Sequence, residues 1–438
     1  MDLSKFVSQE TVQRIYEWHK RMGDGEKRRG YLGASSIGHE CERYLWYSFR
    51  HCVEEEFDGR MYRLFETGNL AEARFVLELK GIGCTVRDLD EQGNQFAVQA
   101  LGGHFSGHMD GCVLGVPEAP ETWHVVEFKT HSLKSFETLK KEGVQKSKPM
   151  HHAQMMVYMG LTGMMRALYL AVNKNTDELY GERVRFDSTE YKRLMDRAER
   201  IIRATNPPER CATRPDDFRC RFCPAFKLCW GTGQTAVPLP RKTCRTCCHA
   251  TPEIDAGEDR ARWSCAKHGH DLSREDQDKA CDDHLLLPGL ISFADPVDSG
   301  DGWIEFKNHS DGAIWRHGPH EGMWTTEELM KAPGPLVGEK SVQSVKEVLG
   351  ASVVSVDDVP FEVPELNLVK RYRPTFCRLT WDGTPDDFPD KLKEDLLSDR
   401  EVTEHFEDEQ YVANEYGFEY LVVFYKADNY VAVWQGIG

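Results

Sequence analysis

Three absences narrow the field before any motif is read. The 438 residues contain no run of about 18 apolar side chains, the length a membrane-spanning helix needs. The opening Met1-Asp2-Leu3-Ser4-Lys5 has neither the charged nor the apolar region of a signal peptide. An excess of positive charge is missing too, because the formal net charge is −17, against expectation for a chain that grips a polyanion. One further motif is approached and not reached. In Gly334-x3-Gly338-Glu339-Lys340-Ser341 an acid separates the second glycine from the lysine and would repel a phosphate, so the loop is rejected as an ATP site. A membrane span, an exported protein and a helicase motor are therefore not expected, and any unwinding has to come from a separate protein.

What is present is unevenly spread. Residues 1–290 carry 43 acids and 42 bases, whereas residues 291–438 carry 29 acids and 13 bases, so nearly all the negative excess sits in the last third. A near-neutral first part can still concentrate cations around a cleft. The candidates are Lys27-Arg28-Arg29 and the lysines 134, 140, 141, 146 and 148. Fourteen cysteines, most at metal-like spacings, point to a reducing cytoplasm. The length suggests about three domains. We place them at 1–235, 236–290 and 291–438, with prolines 238, 240 and 288 flanking the middle one.

The chemistry is densest between Gly107 and Lys129. Gly107-His108-Met109-Asp110-Gly111 is followed by Val125-Val126-Glu127-Phe128-Lys129-Thr130. Alternation along the second stretch puts Glu127 and Lys129 on one face of a strand and Val126 and Phe128 on the other. Asp110 turns out of the preceding strand and can approach Glu127. Two hard oxygen ligands beside an ammonium suit Mg²⁺ or Mn²⁺ together with a phosphodiester.

These motifs, Gly107-x-x-Asp110, Glu127-x-Lys129 and Gln154-x-x-x-Tyr158, resemble those of the PD-(D/E)XK nuclease superfamily in its RecB/AddB-like iron–sulfur branch. Gln154 and Tyr158, four apart, share one helix face. The resemblance covers roughly residues 30–232 and implies several roles. Asp110 and Glu127 hold the catalytic metal, Lys129 is catalytic, and Gln154 and Tyr158 line the substrate side. Glu72, in Gly68-Asn69-Leu70-Ala71-Glu72, is an accessory ligand or water-orienting group.

Two cysteine groups follow. Cys220-x2-Cys223-x5-Cys229 with the distant Cys41 resembles the set that pins a [4Fe–4S] cluster in this branch. Thiolates suit zinc as well, so both metals stay open for the four. Such a staple closes a loop of about 180 residues, where cross-linking counts for much. The remaining cysteines 52, 84, 112, 211 and 377 read as free core thiols. The second group is Cys244-x2-Cys247, Cys265 and Cys281, which fits one structural, tetrahedral Zn²⁺. Cys248, His268 and His284 are possible substitutes.

Hydrophobic periodicity predicts helices at 4–22, 40–47 (behind the Ser35-Ser36 caps), 69–81, 133–143, 149–161 and 189–204. It predicts strands near 84–89, 95–101, 104–113, 123–130, 166–173 and 178–186. This alternation gives an α/β fold whose mixed central β-sheet is flanked by helices, a restriction-endonuclease-like core. After it come a small zinc module and an acidic α+β region. That region is read as strands 303–307, 313–317, 375–382, 418–426 and 429–435, with helices 325–331, 341–349, 388–398 and 400–408. The expected activity is a Mg²⁺- or Mn²⁺-dependent DNA nuclease, most like an exonuclease of recombination, repair or bacteriophage DNA metabolism, in the bacterial host cytoplasm if phage-encoded. The alternative is a DNA-binding or assembly subunit using the fold as a scaffold. Two uses fit the acidic region: docking a basic recombination, replication or helicase partner, or gating the DNA groove.

Overall fold

The computed structural model describes residues 10–24, 28–54, 56–231, 239–254, 260–332, 337–338, 342–343, 346, 351–358, 372–380, 401–406, 410–415, 418–425 and 430–436, with backbone alone beyond residue 353. Its first part runs α1 (Glu10–Asp24), β1 (Leu32–Gly33), α2 (Glu42–Phe49), α3 (Gly59–Gly81), β2 (Thr85–Arg87), β3 (Ala97–Ala100), β4 (Phe105–His108), β5 (Cys112–Leu114), β6 (His124–His131), α4 (Leu133–Ser147), α5 (Pro149–Thr162), β7 (Arg166–Asn173), β8 (Leu179–Arg185), α6 (Ser188–Arg203) and α7 (Phe226–Trp230).

Alternation along β6 explains the layering. Val126 and Phe128 face Phe75, Val76 and Leu79 of α3, with Phe75 stacked on Phe128 at 5.2 Å between ring centroids. Val125 belongs instead to the larger core that includes Val157 and Met159 of α5. Both faces of the sheet are therefore covered, as expected. The central sheet has the order β2-β5-β6-β7-β8. Only the β6–β7 pair is parallel, so the sheet is mixed. A smaller sheet, β1-β4-β3, stands beside it.

The structure departs from the periodicity reading in four places. The strand expected over 104–113 divides into β4 and β5, because the chain turns at Met109–Gly111. Gly111 has φ +140°, and a Cβ there would lie 2.6 Å from the Arg87 carbonyl oxygen, so only glycine fits. Helix α3 begins ten residues earlier than 69, capped by Asp58, whose carboxylate accepts from Met61 N at 2.7 Å. Ser35 and Ser36 lie in a 3₁₀ turn rather than capping α2, whose N-cap is Cys41. Residues 401–406 form a strand, not part of a helix at 400–408. They pair antiparallel with 410–415 at the edge of a six-stranded sheet, and that ladder outweighs the local helical preference.

The later segments comprise β9 (Ala250–Pro252), β10 (Trp263–Cys265), β11 (His270–Leu272), α8 (Arg274–Lys279), β12 (Ala294–Gly300), β13 (Trp303–Asn308), β14 (Ile314–His317) and α9 (Thr326–Lys331). They end in β15 (Ser352–Asp358), β16 (Tyr372–Thr380), β17 (Glu401–Phe406), β18 (Gln410–Glu415), β19 (Phe418–Tyr425) and β20 (Tyr430–Gly436). The terminal hairpin β19–β20 is present, with Tyr425 opposite Tyr430. The helix expected over 388–398 lies outside the described residues, as does most of that over 341–349. No described helix is long and apolar enough to cross a membrane.

One buried cluster runs from Leu32 through Trp263 to Val353. At its centre Trp263, fully buried, has the Arg50 guanidinium 5.1 Å and the Arg245 guanidinium 4.9 Å from its ring centroid. Arg50 donates to the carbonyls of Arg245 (3.1 Å) and Ala204 (2.9 Å). Arg245 donates to those of Phe49 and Gly30 (both 2.9 Å) and to Gln277 Oε1. Burial pulls both guanidiniums below their usual range, Arg50 to about 10 and Arg245 to about 9, the latter helped down by Arg274 and by Arg50 itself.

Candidate metal and DNA site

The turn between β4 and β5 delivers Asp110 to β6. Its Oδ2 accepts from Phe128 N at 2.8 Å and lies 4.0 Å from Lys129 Nζ. Glu127 is fully buried and ion-paired to Lys129, yet neither of its carboxylate oxygens has a hydrogen-bond donor aligned on it. Lys129 Nζ donates to the Phe128 carbonyl at 2.9 Å. Glu72, half-buried on α3, completes the group.

Electrostatics report how crowded with negative charge this is. Burial pushes Glu127 up to about 7; Lys129 pulls it down, while Asp110 and Glu72 add to the rise. Glu72 also rises to about 7, through burial and then Asp110, against the pull of Lys129. Asp110 is raised by burial against Lys129 and the Phe128 amide. For Lys129, burial favours the neutral amine, but the acids, Glu127 foremost, outweigh it and hold the ammonium charged. Three acids grouped around one lysine form a donor set of hard oxygens that suits a divalent cation.

Gln154 and Tyr158 lie on α5 as expected, but they are buried rather than open to a substrate. Tyr158 Oη donates to the His108 carbonyl at 2.7 Å and accepts from Gln154 Nε2 at 3.2 Å. They brace the strand end that leads into Asp110. Gly107 gives them room, since a Cβ there would lie 2.7 Å from Tyr158 Oη.

Three residues at the site were not found by sequence reasoning. Tyr169, opposite Glu127 in the β6–β7 ladder, bonds through its hydroxyl to His131 Nε2 (2.8 Å) and His151 Nδ1 (2.9 Å). Burial lowers His151 to about 3, helped by Lys129, and His131 to about 4, helped by Lys148 and Lys129. Both imidazoles are neutral. The signal was available: His131 continues the Glu127–Lys129 face, and His151 precedes Gln154 by one helical turn. Among the candidate basic residues, Arg28 pairs with Glu54, Arg29 donates to Ser35 Oγ (3.4 Å) and Lys140 meets Glu178 (2.7 Å). Lys148 donates to Ser135 Oγ (2.9 Å), and Lys27 lies outside the described residues.

Cys41, Cys220, Cys223 and Cys229 line one pocket, and Cys211 joins them. The Cys211 thiol is raised to about 12 by burial, by a hydrogen bond with Cys41 and by the nearby Cys220. Sequence spacing had left Cys211 among the core thiols. It is a fifth sulfur at this site, brought there by the segment between α6 and α7.

Cys244, Cys247, Cys265 and Cys281 also converge. Burial raises Cys244 to about 12, followed by Cys247, Cys281 and Cys265. Cys247 Sγ accepts backbone N–H from Leu285 (3.4 Å) and His249 (3.5 Å), bonds that favour a thiolate. Of the substitutes, His284 is engaged by Thr326 Oγ1 (2.8 Å) and the Thr243 carbonyl (2.9 Å), and Cys248 donates to the Leu286 carbonyl. His268 remains in range: its Nε2 is 3.4 Å from Cys281 Sγ and 3.7 Å from Asp283, and these three could share an ion.

No protein-family model matches this chain, and no curated protein matches it. Among solved structures, an alkaline exonuclease from Laribacter hongkongensis (LHK-Exo) is 18% identical at TM-score 0.30, over 42% of this chain and 90% of that one. Its complex with dAMP is 17% identical at 0.30, over 43% and 89%, and SSO0001 is 13% identical at 0.28, over 49% and 94%. Likenesses this slight leave the chemistry to be read from the site.

Proposed function

We propose that this chain is a divalent-cation-dependent deoxyribonuclease of the RecB/AddB-like iron–sulfur type, acting on DNA ends or single strands. The observation that carries the reading is Glu127: a fully buried carboxylate without aligned donors, grouped with Asp110, Glu72 and Lys129. Asp110 and Glu127 would hold Mg²⁺ or Mn²⁺, with Glu72 as an accessory acid. A cation held there would supply charge neutralisation at the scissile phosphate and a more nucleophilic water. Lys129, held charged by its neighbours, is placed to orient water or to stabilise charge on the phosphate. Gln154 and Tyr158 act as positioning residues for the Asp110 turn.

The sulfur pocket supports a [4Fe–4S] cluster on Cys41, Cys220, Cys223 and Cys229, and the N–H···S bonds to Cys247 support structural Zn²⁺ on Cys244, Cys247, Cys265 and Cys281. Segments 1–235, 236–290 and 291–438 then serve as nuclease, zinc module and acidic region, sharing a single core. The −16 balance of the last segment suits a basic recombination, replication or helicase partner better than DNA. A role in phage or recombination DNA metabolism, in the cytoplasm, follows from the same resemblance.

End-labelled single- and double-stranded DNA incubated with Mg²⁺ or Mn²⁺ tests the reading. Asp110→Ala, Glu127→Ala and Lys129→Ala should each remove most cleavage, and EDTA should silence the wild type reversibly. Wild-type cleavage by Lys129→Ala would sink the assignment. An inert but DNA-binding wild type would favour the scaffold reading.

A further inference from the structure

A groove of about 530 Å³ lies between the small sheet and the zinc module, and His108, two residues ahead of Asp110, is part of its lining. Its floor is one face of that sheet: Ala97 opposite His108, and Gln99 opposite Ser106. These side chains are small or polar, which keeps the floor low. The far wall is the zinc module, with Arg260, Arg262 and Arg274.

Wall and floor are fixed to each other. Ala261 N donates to the Gly102 carbonyl at 2.8 Å, and His104 Nε2 bonds the Arg262 carbonyl at 2.9 Å, so the β3–β4 hairpin holds the arginine segment. Burial lowers His104 to about 4, the Arg262 carbonyl pulling the other way. The ring is neutral, so Nε2–H donates. Arg274 packs over Gly30, where a Cβ would lie 2.0 Å from its Nη2.

The charge of this groove is one-sided. Asp271 is the only carboxylate lining it among the described residues, and Arg262 already pairs with it at 2.8 Å. Arg274 is exposed and makes no ion pair with another described residue. It shares the groove lining with the buried guanidinium of Arg245, whose charge it opposes and Asp278 favours. At the other end Tyr31 offers a ring 6.4 Å from His108, its Oη 3.4 Å from His108 Nδ1. His108 is two residues ahead of Asp110, and its carbonyl is the one Tyr158 holds.

We infer that the zinc module forms one wall of the substrate path, and that this groove carries single-stranded DNA to Asp110 and Glu127. Arg274 and Arg260 contact phosphates and Tyr31 stacks on a base. The inference rests on the nuclease reading for the direction of travel and on the groove alone for binding. A polynucleotide fits better than an acidic peptide, because the groove offers an aromatic face at Tyr31 beside His108, two residues ahead of Asp110 in the chain. It also assigns the module a task beyond structural support: its arginines supply phosphate contacts that the acid-rich active site cannot.

The test uses the full-length, metal-loaded protein and fluorescein-labelled dT₂₀ without added Mg²⁺ or Mn²⁺, read by anisotropy across a salt series. Arg274→Glu and Arg260→Glu should each bind several-fold more weakly, and each should flatten the plot of log K against log salt by about 0.7. In Mg²⁺, the ratio of kcat/KM for dT₂₀ to that for bis-(p-nitrophenyl) phosphate should fall in the same variants. Zinc content and circular dichroism establish that they fold. Wild-type affinity and salt slope in both variants would overturn the proposal. So would displacement of dT₂₀ by poly-glutamate at equal charge, which would make the groove an acidic-peptide site. A wild type that hydrolyses neither substrate removes the nuclease reading, while the binding series still decides the groove.

Discussion

Replacing Tyr158 by Phe isolates one oxygen atom. The ring stays in the core, but the His108 carbonyl loses its donor at 2.7 Å and the Gln154 amide loses its acceptor at 3.2 Å. The Gln154 amide is then unsatisfied in the core, since Tyr158 is 1% exposed, while the bond to the carbonyl of the exposed His108 is part-buried. The expected cost is about 1–3 kcal/mol. The released carbonyl belongs to the residue two ahead of Asp110, so part of the cost should appear as freedom in the turn. If about 1.4 kcal/mol is felt there, Mg²⁺ half-saturation for cleavage rises about tenfold. Urea unfolding measures the first quantity and a Mg²⁺ titration of cleavage the second. A variant destabilised as expected but with wild-type Mg²⁺ dependence would reduce Tyr158 to a core residue. One that is not destabilised would refute the account of the hydrogen bond itself.

Anaerobically purified protein should hold about four irons and about one zinc per chain by elemental analysis. Cys41→Ala should lose iron and keep zinc, and Cys265→Ala the reverse; zinc at both sites would leave the architecture and remove the cluster. Cys211→Ser should retain iron if the fifth sulfur is a neighbour and not a ligand, and loss of the cluster would reassign it. His317 is fully buried and lowered to about 4, chiefly by burial. Leu286 N donates to its Nε2 and its Nδ1–H donates to the Trp324 carbonyl. Below about pH 6.5 the unfolded chain binds a proton that the folded chain refuses, so stability falls as pH drops toward 4, by at most about 3 kcal/mol from this group. Urea midpoints between pH 7.5 and 4.5 should shift less in His317→Asn than in the wild type. Equal shifts would place the acid sensitivity elsewhere.

The central sheet was legible because β6, β7 and β8 are bounded by turn residues and alternate or run apolar, and because Asp110, Glu127 and Lys129 have fixed short spacings. The break at Met109–Gly111 was not, since its cause is a distant carbonyl, that of Arg87, which no local pattern encodes. Cys211 was missed for a related reason: it reaches Cys41 through an irregular segment. The burial of Gln154 and Tyr158 shows the limit of helical periodicity, which groups two side chains on a face without saying what covers it. At residues 401–406 local preference favoured a helix, and pairing with 410–415 decided otherwise.

The exchange around Trp263 bears on how this gene can be divided. Arg50 is satisfied by a carbonyl of residue 245, and Arg245 by carbonyls of residues 30 and 49. A chain cut between residues 232 and 243 therefore leaves each fragment with a buried cation that has lost acceptors to the other: Arg50 keeps the Ala204 carbonyl but not that of Arg245, and Arg245 keeps Gln277 but not the Gly30 and Phe49 carbonyls. Neither fragment is a self-sufficient inheritance unit, and recombination that shuffles the zinc module into another protein would deliver a guanidinium without its two backbone acceptors. Two fragments made in the same cell carry complementary deficits, and they should find each other.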